Sequence, residues 1–295
     1  MPRVVCVHGV GQQLKGEDLL AEEWVAALRD GMRRAGAALT VLPAASEVEF
    51  AFYGDIFRPM GRSLAVGDAW LTVDDLDDFE RELLAAWWQA AAEVDLAVAA
   101  PGVASLGRVP GGVQRALRAL SQSAFFAGVA ERALLSDLRQ VRLYLTSAGI
   151  REAVQRRVAA VVDGRTQVLV GHSLGAVVAY EALCAHPEWP VKILVTLGAP
   201  LGIRNLIFDR LVPPPERWAG GLTGRWPGAV SAWANVADAG DVVALVKDLR
   251  PLFGPRVECF EISNGAHSHA VNPYLTARET GAAITAALSS SDCPQ

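Results

Sequence analysis

The chain has 295 residues, a length that suits one large α/β domain or two small ones. Hydrophobic residues make up 52% and charged residues 20%, which excludes a disordered chain and leaves apolar mass for a sizeable core. The formal net charge of -5 offers no basic footprint, so nucleic acid is a poor partner.

In chain order, Val4 to Val7 is a short apolar run that predicts a buried strand, breaking into the glycine turn His8-Gly9-Val10-Gly11-Gln12. Asp18 to Arg34 has helical spacing, with Leu20, Trp24, Ala27 and Leu28 on one face. Val48, Phe50 and Phe52 alternate with Glu49 and Ala51, the period of a strand, which Tyr53-Gly54-Asp55 ends.

From about Phe57 to Ser147 the strand–helix alternation stops. An acidic helix start at Asp74 to Asp78 leads into a long Ala/Leu helix carrying Trp87 and Trp88. Further helices are expected over Val113 to Leu120, Ala124 to Leu135 and Leu138 to Leu145. So long a stretch exceeds a plain loop and predicts a helical, cap-like insertion over about 57–147. Its apolar stripe is expected to bury its own core, since such stripes more often face protein than lipid. Leu83 to Leu106 is broken by Glu93, Asp95 and Pro101, so it does not predict a membrane span.

Ile150 to Val162 predicts a helix, and Gln167 to Val170 a strand. Gly171-His172-Ser173-Leu174-Gly175 follows, then a helix over Ala176 to Leu183. Val191 to Leu197 predicts a strand ending in Gly198-Ala199-Pro200, and the proline- and glycine-rich Leu211 to Gly228 a surface loop. Val230 to Val236 and Val257 to Ile262 are the last two strands, and Thr276 to Leu288 the last helix. Six strands alternating with helices predict an α/β domain, a mostly parallel central sheet with helices on both faces.

Gly171 to Gly175 fits G-x-S-x-G between a strand and a helix, the setting that exposes a serine hydroxyl on a sharp turn. A serine hydroxyl needs a base to take its proton, and the base needs a group to orient it. Of the five histidines, only His267 and His269 follow a late strand; His269 is preferred and His267 is the alternative. His186, before Pro187, reads as a helix end, and His172 as packing. Asp241 is preferred as the orienting acid, with Asp238 competing; the loser should cap a turn. The backbone N–H groups of Leu174, at a helix start, and Val10, in the first glycine turn, are the candidate oxyanion donors.

The glycine turn after the first strand lacks the G-x-G-x-x-G spacing, and no G-x-x-x-x-G-K-[ST] occurs, so no nucleotide cofactor is expected. Cys6, Cys184, Cys259 and Cys293 form no C-x-x-C pair and read as free thiols, without a metal. No signal-peptide pattern precedes the first strand, so a cytoplasmic protein is expected.

On Val7-His8-Gly9-Val10-Gly11, the serine motif, Thr196-Leu197-Gly198-Ala199-Pro200, Asp241-Val242-Val243 and His269, the sequence resembles the α/β-hydrolase superfamily, on its lipase- and esterase-like side. The acid as Asp-x-Val and the Tyr274-Leu275 pair after His269 are part of that resemblance. It implies a Ser173–Asp241–His269 triad, a helical cap and hydrolysis of carboxylic esters through an acyl-enzyme, with a small-molecule or lipid acyl substrate. A phospholipase working at a membrane surface, a peptidase or thioesterase on the same triad, and a non-catalytic binding protein are the alternatives. Two features differ from the usual family pattern. The first strand corresponds to the family's third, and the insertion precedes the serine.

Overall fold

The computed structural model describes residues 1–58, 72–101, 110–122, 131–218, 221–228, 230–265 and 268–289. Its strands are β1 (Val4–Val7), β2 (Val48–Phe50), β3 (Val168–His172), β4 (Ile193–Leu197), β5 (Glu216–Trp218), β6 (Gly221–Thr223), β7 (Ala232–Asp238) and β8 (Val257–Ile262). Six of these make one sheet in the order β2-β1-β3-β4-β7-β8, with every pairing parallel. The inner strands β1, β3, β4 and β7 are buried along nearly their whole length, because a parallel sheet covered on both faces exposes neither there, while the edge strands β2 and β8 expose Glu49, Glu258 and Glu261.

Alternation along β1 splits the core. Val4 and Cys6 face one side, under α1 (Glu17–Arg34). Val5 and Val7 face the other, under the helices of the middle of the chain. Helix α1 carries Glu17 and Asp18 in its first turn and Arg33 and Arg34 in its last, matching the helix dipole at both ends.

Between β2 and β3 lie α2 (Asp78–Val94), α3 (Pro110–Gln122), α4 (Glu131–Thr146) and α5 (Ala148–Val161). Asp77 caps α2 by accepting the Glu80 N–H at 2.9 Å, while Glu80 accepts the Asp77 N–H at 2.9 Å. The buried Glu80 carboxylate then receives Arg142 at 3.0 Å and Arg139 at a shorter contact, tying α2 to α4. Buried Glu181 accepts Tyr144 Oη–H at 2.6 Å and the Val212 N–H at 2.9 Å, locking α4 onto α6 (Leu174–Ala185). Helix α6 is buried on all sides, so it shows no polar face.

The remaining helices are α7 (Arg250–Phe253), α8 (Val271–Thr276) and α9 (Arg278–Ser289). Leu275 of α8 and Ile284 and Leu288 of α9 join α1 on its side of the sheet. No helix among the described residues is long and apolar enough to cross a membrane.

Several boundaries differ from the sequence reading. Helix α4 runs unbroken through Ser136 and Asp137, where the pattern predicts two helices, because both polar residues face protein rather than a turn. Residues 124–130 of the expected helix lie outside the described residues. The expected loop at Leu211 to Gly228 contains the antiparallel β5–β6 hairpin. Strand β7 continues to Asp238, so that residue ends the strand rather than following it. The last expected helix is α9, starting two residues later, and the short α8 before it is not expected from the sequence.

Candidate active site

The sheet order brings the C-terminal ends of β1, β3, β4 and β7 side by side, and the turns leaving them meet there. Ser173 occupies the turn between β3 and α6 with φ 55 and ψ -126, a left-handed conformation unusual for a residue with a Cβ. Such a residue costs on the order of 1–3 kcal/mol and persists only where its surroundings impose it. Here they do. A Cβ on Gly171 would lie 2.5 Å from the Gly175 carbonyl, and one on Gly9 would lie 2.8 Å from the Ser173 Cβ. The Ser173 N–H is held by the Leu197 carbonyl at 2.9 Å.

Ser173 Oγ–H donates to His269 Nε2 at 3.0 Å. His269 Nδ1–H donates to Asp241 Oδ2 at 2.8 Å. With Nδ1 facing a carboxylate, the proton sits there and Nε2 carries the free lone pair. Three side chains from three different turns thus form one hydrogen-bonded chain. Asp241 is buried, whereas the His269 side chain keeps 22% of its exposure, toward the cavity beside Ser173.

Asp241 is itself tightly held. Oδ1 accepts the N–H of Val243 at 2.8 Å and of Ala244 at 3.2 Å, and Oδ2 also accepts the Tyr274 hydroxyl at 2.7 Å. Burial pushes this carboxyl up, but His269, Tyr274 and the Val243 amide outweigh it and hold it below its ordinary value. Lys247 donates to the carbonyls of Asp241 and Ala244, the latter at 2.7 Å, and braces the turn from behind. Asp238 does different work. Its carboxylate accepts the Gly240 N–H at 2.7 Å and the Asn264 N–H, stapling the turn after β7 to the loop that carries His269. The competing carboxylate is therefore a turn cap, and Asp241 is the one against the imidazole. His267 lies outside the described residues.

Two further histidines support the site, and burial keeps both neutral. His8 is pushed down to about 4 by burial. Its Nδ1–H donates to the Gly9 carbonyl at 2.7 Å, and its Nε2 accepts the Tyr53 N–H at 3.1 Å, which pins the first glycine turn. His172 is pushed down to about 3 by burial, with the nearby His269 adding to the effect. The sequence reads His172 as packing only. Its Nε2–H also donates to the His269 carbonyl at 2.9 Å, and its ring lies 4.8 Å from the His269 ring. His186 caps the end of α6 and stacks on Trp189, a helix-end role.

The Leu174 N–H opens α6 and has no intrahelical acceptor, because the residue four back lies in β3. Val10 lines the same cavity as Ser173 and Leu174. Both residues therefore border the cavity beside Ser173. Among the described residues no three His, Cys, Asp or Glu side chains gather to hold a metal ion.

Sequence reasoning missed the roles of three residues. Gly198 has φ 54, and a Cβ on it would sit 2.8 Å from Asp241 Oδ2 and 3.2 Å from His269 Nδ1. Its glycine is what lets acid and base approach, and the sequence marks it only as part of the Thr196 to Pro200 motif, not as a contact of the acid and base. Tyr274 is marked by its place after His269, but its hydroxyl's reach to Asp241 is not, and Lys247 carries no signal, since neither spacing nor residue type marks a side chain that reaches back to a carboxylate or its turn. Compared with known proteins, the sequence matches no family model and no curated protein.

Proposed function

We propose that this protein is a serine hydrolase acting on carboxylic esters, with an α/β-hydrolase fold and α2 to α4 as its helical cap. The observation that carries the reading is the chain Ser173 Oγ to His269 Nε2 at 3.0 Å and His269 Nδ1 to Asp241 at 2.8 Å, on a serine in a strained turn. The order of the three along the chain, serine then aspartate then histidine, agrees with that fold. A cavity of about 250 Å³ beside Ser173, lined mainly by apolar side chains, supports an apolar acyl substrate. The unpaired thiols of Cys6, Cys184 and Cys259 fit a reducing compartment.

In this reading Ser173 Oγ bonds to the acyl carbon while His269 Nε2 takes its proton. The carbonyl electron pair moves to oxygen, and the N–H groups of Leu174 and Val10 receive the charge. The intermediate collapses, the C–O bond to the alcohol breaks, and His269 returns the proton to the leaving oxygen. Water then attacks the acyl-enzyme, giving its proton to His269, and Ser173 leaves with that proton as the acid departs. Asp241 keeps the imidazole in the tautomer that accepts from serine and stabilises it when protonated.

The test is covalent labelling by a fluorophosphonate probe together with turnover of p-nitrophenyl butyrate. Wild type should label and turn over, and Ser173→Ala should do neither. Labelling that survives in the alanine variant would remove Ser173 as nucleophile and the reading with it.

A further inference from the structure

One wall of the cavity beside Ser173 does not match its neighbours. Val10, Trp87, Leu134, Val141, Ile207 and Val243 make it apolar, yet the Asp137 carboxyl lines it too. Leu134, Asp137 and Val141 share one face of α4, three and four residues apart, so the same turns that supply the apolar wall supply the acid.

Among the described residues, the Asp137 carboxyl has no hydrogen-bond or ion-pair partner. The cations nearest it on α4 are engaged elsewhere, since Arg139 and Arg142 both turn to Glu80 on α2. Asp137 is partly buried, and its helix is fixed in place. Gln140 donates to Gln13 at 3.3 Å, Tyr144 donates to Glu181 at 2.6 Å, and with the arginine pairs these hold α4 against the rest of the fold. On its open side the carboxyl faces the first glycine turn, where a Cβ added to Gly11 would lie 3.4 Å from Oδ1. The carboxyl therefore packs close beside that turn, and the space open to a ligand is the cavity it lines with Ser173 and His269.

An acid without a partner in apolar surroundings is costly, and those surroundings push the partly buried Asp137 up to about 7, with His269 opposing that shift. The cost is removed when a cation arrives. A site built around one such charge rejects ligands that leave it unpaired.

We propose that Asp137 makes the cavity a receptor for a cation: the substrate is an acyl compound with an apolar body and an ammonium group, which pairs with Asp137 while its carbonyl lies against Ser173. The substrate assignment rests on the serine hydrolase reading; the cation site is tested apart from it.

The experiment uses the full chain carrying Ser173→Ala, so that no turnover occurs. Binding of n-butylammonium and of 1-butanol, matched in apolar length, is measured by calorimetry at about pH 8.5. There the carboxyl is ionised and an alkylammonium is still charged. Butylammonium should bind at least about ten-fold more tightly than butanol. Adding Asp137→Asn should bring the two within about two-fold, with circular dichroism and the melting curve showing that the variant is folded. Equal affinities with Asp137 intact, no saturable binding of either, or a preference that survives Asp137→Asn in folded protein would each overturn the proposal. Absence of p-nitrophenyl butyrate turnover by wild type would sink the hydrolase reading alone, and the ammonium preference would still stand or fall by itself.

Discussion

Replacing Tyr274 with phenylalanine deletes one oxygen from the buried side of the Asp241 turn. That hydroxyl donates to Asp241 Oδ2 at 2.7 Å and accepts the Asp238 N–H at 2.8 Å. The residue has no exposed surface, so water does not stand in for the lost oxygen. Losing a hydrogen bond to a charged group costs about 1.5–3 kcal/mol, and a buried amide left unpaired costs about 1–3 kcal/mol. The two losses share one network and do not add in full, which puts the expected destabilisation at about 3 kcal/mol. Asp241 keeps the Val243 and Ala244 amides on Oδ1, so the carboxylate stays in place and turnover should fall by only about ten-fold. Urea unfolding followed by tryptophan fluorescence measures the first quantity, because an unchanged slope lets the midpoint shift be read as free energy. A loss below about 0.5 kcal/mol would refute the claim that this hydroxyl holds the turn together.

Three other outcomes follow from the same geometry. Ser173→Gly and Ser173→Ala should both be inactive, but the glycine variant should be more stable by about 1 kcal/mol or more, since only glycine relaxes at φ 55; equal melting temperatures would mean that the turn stores no strain. His172→Phe keeps a ring but loses the donor to the His269 carbonyl, so kcat and the rate of fluorophosphonate labelling should drop about ten-fold with KM little changed. An unaltered labelling rate would show that the bond does not position the base. His8 and His172 have folded-state values of about 4 and about 3, below the ordinary 6.5, so the unfolded chain binds protons first as pH falls. The stability they contribute is complete above about pH 6.5 and is lost on acidification through their folded values; by about pH 4.5 each forfeits about 2.5 kcal/mol. Urea midpoints at about pH 7.5 and about pH 4.5 check this, and His8→Gln should flatten the dependence.

Local pattern alone located the six strands of the main sheet, because each is an apolar run cut off by glycine or polar residues and needs no distant partner to be recognised. It also located Ser173, since a strand, a sharp turn and a helix are all encoded within about a dozen neighbouring residues. What it left open was which distant groups meet. Asp238 and Asp241 are three residues apart and chemically alike; only the path of the turn after β7 aims one at His269 and the other at the Asn264 amide. Asp137 looks like the polar face of an amphipathic helix, and packing of α4 beside the glycine turn is what makes it a cavity residue. Residue type and spacing determine elements because backbone hydrogen bonding and side-chain period are short-range. Burial, pairing and proton affinity depend on what lies across the sheet, and that is decided only when the chain folds.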